Sequence, residues 1–142
     1  MHDIYLTTPQ ATLLVVEDDP DVFRTYANIL LAEGITCDLA TDGEIGWERI
    51  QTGRYRLIVT DHNMPNLMGW DLIERLNQSN YRVPIFLVAG ALAEENPGAA
   101  GICLLEFIRK PIPGDSLLSK VRAALSLELP DWFTYPVELE GC

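Results

Sequence analysis

Basic residues are scarce in this chain: ten Lys and Arg stand against 21 Asp and Glu, for a formal net charge of −11. Such an acidic surface repels phosphate backbones and argues against direct contact with DNA or RNA. Cysteine is scarce as well. Cys37, Cys103 and Cys142 are odd in number and none forms a C-x-x-C pair, which excludes the common zinc and dithiol motifs and leaves reduced thiols as the expectation. Cys37 and Cys103 have apolar neighbours and read as core filler, and Cys142 as a free terminal thiol. No apolar run approaches the roughly 20 residues needed to span a bilayer. Met1 to Ala11 lack the charged-then-apolar order of a signal peptide. These absences predict a soluble cytoplasmic chain with no membrane and no nucleic-acid partner. Internal repeats and low-complexity tracts are also missing.

What is present is a chain of 142 residues, 48% of them hydrophobic, enough for one domain around one core. Thr12 to Val16 is an apolar run that stops at Glu17-Asp18-Asp19, the pattern of a strand buried on both faces. Asp19 reads as an N-cap and Pro20 as a first-turn residue of a helix whose apolar positions are Val22, Phe23, Tyr26, Ile29 and Leu30. Gly34 suits the C′ position beyond that helix. The unit then recurs. Strands are predicted over Thr36–Ala40, Leu57–Thr60, Val83–Ala89 and Leu104–Ile108, with helices over Glu44–Gln51, Leu67–Asn77 and Asp115–Leu127. Alternating strands and helices predict an α/β fold, a parallel sheet with helices on both faces. Ala91 to Cys103 should carry the fourth helix, but Pro97, Gly98 and Gly101 predict a short or irregular one. The predicted organisation is an N-terminal extension over 1–11, a domain over 12–128 and a tail over 129–142. That tail holds Trp132, Phe133 and Tyr135, aromatics suited to packing on the domain or on a partner, or a linker remnant.

In an open α/β sheet, sites form beyond the carboxyl ends of the strands. Here the first strand ends in Glu17-Asp18, the third in Asp61, the fourth in Ala89-Gly90 and the fifth in Lys110-Pro111. If these strands are neighbours, three carboxylates and one ammonium converge. Hard carboxylate oxygens suit Mg²⁺, an ion that keeps open positions for phosphate oxygens. Lys110 would add a point charge toward a phosphate, and Asp61 would be a nucleophile forming an acyl phosphate. Each feature alone has a plainer explanation, since acids are favoured at any helix N-terminus. Their joint occurrence at three strand ends is what points to a site.

LLVVEDDPDVFR, GITCDLATDGEIGWERI, YRLIVTDHNMPNLMGWDLIERL, VPIFLVAGA and FIRKPI resemble successive blocks of the receiver domain of bacterial response regulators, over Thr12 to about Leu127. The resemblance implies a flavodoxin-like, doubly wound five-stranded sheet of order 2-1-3-4-5. It implies Asp61 as phosphoacceptor, Glu17 and Asp18 as the acidic pair that holds Mg²⁺, and Asn63 as the residue whose backbone carbonyl completes the metal site. Lys110 matches the phosphoryl-contacting lysine, and Pro111 the proline after it, often joined through a cis bond. Met64 and Pro65 shape the turn after the acceptor, with Gly69 matching the family glycine. The fourth strand of the family ends in Ser or Thr, whereas this one ends in Ala89, which has no hydroxyl to donate. Phe107 fills the aromatic switch position. His62 reads as a side chain beside the pocket without a catalytic part.

The function implied is that of a phosphorelay receiver, loaded on Asp61 by a histidine kinase or histidine phosphotransfer protein and signalling to a downstream protein as a monomer or weak dimer. It would be a signalling domain rather than an enzyme, with only self-phosphorylation from a donor and slow self-dephosphorylation. An alternative is a phosphorylation-independent binding module on the same scaffold, which Ala89 motivates and the intact acidic pocket opposes. A hydrolase using an aspartyl phosphate would want a second acid soon after the nucleophile, where this chain has His62-Asn63-Met64.

Overall fold

The computed structural model describes residues 11–53, 55–90 and 104–126. Five strands, β1 (Leu13–Val16), β2 (Cys37–Ala40), β3 (Leu57–Asp61), β4 (Ile85–Ala89) and β5 (Leu104–Arg109), form one parallel sheet in the order β2-β1-β3-β4-β5. Four helices are described: α1 (Pro20–Leu31), α2 (Gly43–Thr52), α3 (Gly69–Gln78) and α4 (Gly114–Ser126). The expected α/β fold and strand order are therefore present. The irregular helix expected between β4 and β5 lies outside the described residues, as do residues 1–10 of the extension and the whole of the tail.

The two faces of the sheet explain the continuous apolar strands. Leu14, Val16, Ile58, Ile85 and Leu87 point to one side, where they meet Ile50 of α2 and Trp70, Leu72, Ile73 and Leu76 of α3. Leu13, Val15, Leu57, Val59, Phe86 and Val88 point to the other, against Leu30 of α1 and Leu117, Val121 and Ala124 of α4. Period-2 alternation thus serves two cores at once, so the central strands β1, β3 and β4 are buried on both faces. Cys37 packs half-buried in the second layer, where burial and the Asp38 charge push its thiol up to about 12.

Helix ends follow their local chemistry. Asp19 caps α1 by accepting the Asp21 N–H at 2.9 Å, with Pro20 in the first turn. Beyond α1, the Gly34 N–H bonds to Leu31 O and the Ile35 N–H to Leu30 O, the paired bonds of a Schellman turn, with Gly34 at φ 79°. Helix α3 begins at Gly69, two residues later than predicted, because Leu67 is used instead as a buried anchor of the preceding loop. β4 begins at Ile85 rather than Val83, since Pro84 has no N–H for the ladder.

Candidate functional site

Strand order reverses between β1 and β3, the switch point at which α/β sheets open a crevice. Val16 pairs with Thr60, so the next residues along, Glu17 and Asp61, lie side by side at the strand ends. The ladder holds both: the Glu17 N–H bonds to Ala40 O at 2.9 Å, and the His62 N–H to Val88 O at 2.8 Å. One carboxylate oxygen each from Glu17, Asp18 and Asp61 lie within 4.8 Å of one another. Glu17 and Asp61 are 3% and 8% exposed, while Asp18 faces solvent. Two of the three acids are therefore largely removed from water, where charge is expensive unless compensated.

Lys110 supplies part of the compensation. Its N–H bonds to Ala89 O at 2.7 Å, and its Nζ lies 2.9 Å from Asp61 Oδ1. Burial pushes its ammonium downward, but the hydrogen bond and charge of Asp61, with the charge of Glu17, outweigh this and raise it. Glu17 has no ion pair of its own among the described residues. Burial raises its carboxyl to about 7; the Asp61 charge and Asp18 add to the rise, while the Asp19 N–H and Lys110 act against it. An acid held this far up marks a carboxyl removed from water beside a like charge. The donor set, three hard oxygens with open sides, fits a small divalent cation such as Mg²⁺.

The other predicted residues surround this cluster. Asn63, Pro65 and Pro111 are exposed, and Lys110-Pro111 is cis. Gly69 is buried, and its N–H closes the loop after Asp61 by bonding to His62 O at 2.9 Å. Ala89 is buried at the end of β4. Phe107 is half-buried, stacked on Trp70 at 5.7 Å, with the Arg109 guanidinium 4.9 Å from its ring. His62 meets Trp70 edge-on at 6.4 Å.

Two features escaped the sequence reading. Tyr26, taken only as a core position of α1, lies close enough to feel Lys110, Glu17 and Asp61, and burial raises its hydroxyl. Asp42 and Asn66, neither of them a candidate from the sequence, join each other across 24 positions by a hydrogen bond of 2.8 Å. Helical spacing placed Tyr26 on an inward face without saying what it meets, and the Asp42–Asn66 bond depends on which loops meet.

The chain matches the response regulator receiver domain family over residues 13–122. It is 32% identical over 111 residues to the transcriptional regulatory protein DltR of Streptococcus agalactiae, covering 78% of this chain and 50% of that one. It is also 32% identical over 125 residues to the 3′,5′-cyclic-nucleotide phosphodiesterase regA of Dictyostelium discoideum, covering 83% of this chain but 16% of that protein. The chain thus spans about half the length of the first relative and a smaller part of the second. Among solved structures, a Francisella response regulator receiver domain superposes with a TM-score of 0.71 at 26% identity, over 82% of this chain and 97% of that one. Sequence match, sheet order and the acidic cluster at the switch point agree, and the chain belongs to the response regulator receiver domain family.

Proposed function

We propose that this chain is a phosphoacceptor in which Asp61 receives a phosphoryl group in a Mg²⁺-dependent reaction. The observation that carries the reading is the Lys110 Nζ at 2.9 Å from Asp61 Oδ1, beside three carboxylates whose oxygens lie within 4.8 Å. Glu17, Asp18 and Asp61, with the backbone carbonyl of Asn63, would hold the ion, which when bound neutralises charge on the incoming phosphoryl oxygens.

A carboxylate oxygen of Asp61 attacks phosphorus, the donor's bond to phosphorus breaks, and the leaving group keeps that electron pair. Lys110 releases Asp61 and pairs with a phosphoryl oxygen, so its charge is used in both states. Glu17 enters ionised once the cation is present. Pro65 and Gly69 shape the loop that carries Asn63, and Pro111 follows the lysine. The functional unit is the domain over 12–128, a cytoplasmic signalling module and not an enzyme with its own turnover substrate. The donor is a histidine kinase or phosphotransfer protein, and the recipient of the signal is a protein.

Ala89 makes the switch atypical. A hydroxyl at the end of β4 would reach toward the phosphoryl group, and alanine has none. Phe107 is already engaged, stacked on Trp70 with the Arg109 guanidinium near its ring. This favours a second reading, a binding module that works without phosphate. Incubation with acetyl phosphate and Mg²⁺ followed by intact-mass spectrometry separates the two. A single phosphoryl adduct on the wild type and none on Asp61→Asn is the expected result. No adduct on folded wild-type protein, with acetyl phosphate and with a phosphohistidine donor, would leave the binding module standing.

A further inference from the structure

The loop after Asp61 runs from His62 to Met68 and carries Asn63. Its ends are tied together by the Gly69 N–H on His62 O, and Met64 and Leu67 anchor it in the core. Its outer part reaches a different element. Asn66 Nδ2 donates to Asp42 Oδ2 at 2.8 Å, and the Gly43 N–H bonds to Pro65 O at 3.3 Å. The other oxygen of the same carboxylate, Asp42 Oδ1, accepts the Ile45 N–H at 2.8 Å and caps α2. Asp42 thus uses one oxygen on its own helix and one on the acceptor loop. The approach is close: a Cβ on Gly43 would lie 2.0 Å from Leu67 O.

Two further observations bear on this contact. Asn66 sits at φ 70°, a left-handed conformation that Asn tolerates and that turns its amide toward Asp42. Met68, the N-cap residue of α3, makes no capping bond with its side chain, so the exit of the loop lacks the polar anchor a Ser or Asp would give. The Ile45 N–H, working against burial, and the Asn66 amide hold the Asp42 carboxyl below its usual range, consistent with an ionised acceptor.

We infer that Asp42 is a positioning residue for the phosphoacceptor site, clamping the Asn63-bearing loop to the start of α2 through Asn66. The inference rests on the phosphoacceptor reading and adds to it a residue on another element. Its effect on cation binding should be graded, because the apolar anchors remain and the bond is open to solvent.

The test uses Asp42→Ser, which keeps a side-chain oxygen to cap α2 but has none left for Asn66, and Asn66→Gly, which accepts the positive φ but has no amide. Hydrogen exchange of the loop amides is read on the metal-free protein, and Mg²⁺ affinity by calorimetric titration. Each variant should speed exchange at Leu67 and Gly69 and weaken Mg²⁺ by about threefold to tenfold, the scale of one solvent-exposed hydrogen bond. The double variant should be no worse than either single one, since both remove the same bond. Unchanged loop exchange, Mg²⁺ affinity within about twofold of wild type, or additive losses in the double variant would overturn the clamp and leave Asp42 as a helix cap. Failure of the wild type itself to bind Mg²⁺ would overturn the phosphoacceptor reading and this role together, and is distinguished by appearing before any substitution.

Discussion

Glu17 bears the cost of the pocket. Its carboxyl is raised to about 7, first by burial and then by the Asp61 charge. For an acid raised in the folded state the sign is fixed. Below the ordinary value of 4.5 both folded and unfolded chains hold the proton, and nothing is lost. Between 4.5 and about 7 the unfolded chain ionises first, so stability falls as pH rises, and above 7 the full cost is present. Glu17→Gln should therefore stabilise the metal-free protein at pH 8, by on the order of 2 kcal/mol, and leave it nearly unchanged at pH 4. Thermal unfolding at the two pH values checks this. Equal shifts at both would show that the change acts through packing and not through charge.

At the scale of elements, the start of α3 sets the height of the loop after Asp61. A Cβ on Gly69 would meet Leu87 Cδ1 at 2.5 Å, His62 Cα at 2.9 Å and Asp61 O at 3.1 Å. The glycine is needed for this approach of a helix to a strand end, and two of the three contacts are backbone that cannot swing aside. Gly69→Ala should destabilise the fold by about 1–3 kcal/mol, as overpacking does. It should also weaken phosphorylation of Asp61 beyond what the lost stability explains. Urea unfolding gives the first quantity, and the rate of adduct formation at full folding gives the second. Loss of stability with an unchanged rate would confine Gly69 to packing. The pair Arg75–Glu44, with Arg75 also over the Trp47 ring at 5.6 Å, links α3 to α2 but is too exposed to weigh much.

At the scale of the molecule, the sheet joins β3 to the β5 edge through β4: Asp61 pairs with Val88, and Ala89 with Arg109. Ala89 stands between them without a hydroxyl. If that missing donor is what weakens the response, Ala89→Ser should enlarge the change in hydrogen exchange over β5 when Asp61 is phosphorylated. The same response in wild type and variant would show that transmission does not pass through this position. The Trp70–Phe107–Arg109 stack offers a separate contact from α3 to β5, on the same face as α2.

Much of this was legible in the order of residues. Apolar runs ending in acids, and helices opening on Asp19-Pro20, depend on neighbours in the chain, so β1 and α1 could be read to within a residue or two. The acidic cluster was legible because a strand-end residue in a parallel sheet has little choice of direction. Other features were decided only in three dimensions. Gly69 is a matter of a helix meeting a strand end, and nothing in the run Asn66-Leu67-Met68 states that distance. Asp42 and Asn66 look like ordinary turn residues, and their partnership exists because β2 and β3 flank β1 and the loops that follow them meet above it. The raised carboxyl of Glu17 is likewise a property of burial beside Asp61. The sequence by itself determined the strands, their ends and the chemistry at those ends, because these are local. The tertiary structure decided how deeply that charge is buried and what braces the loop around it, because burial and bracing depend on residues far apart in the chain.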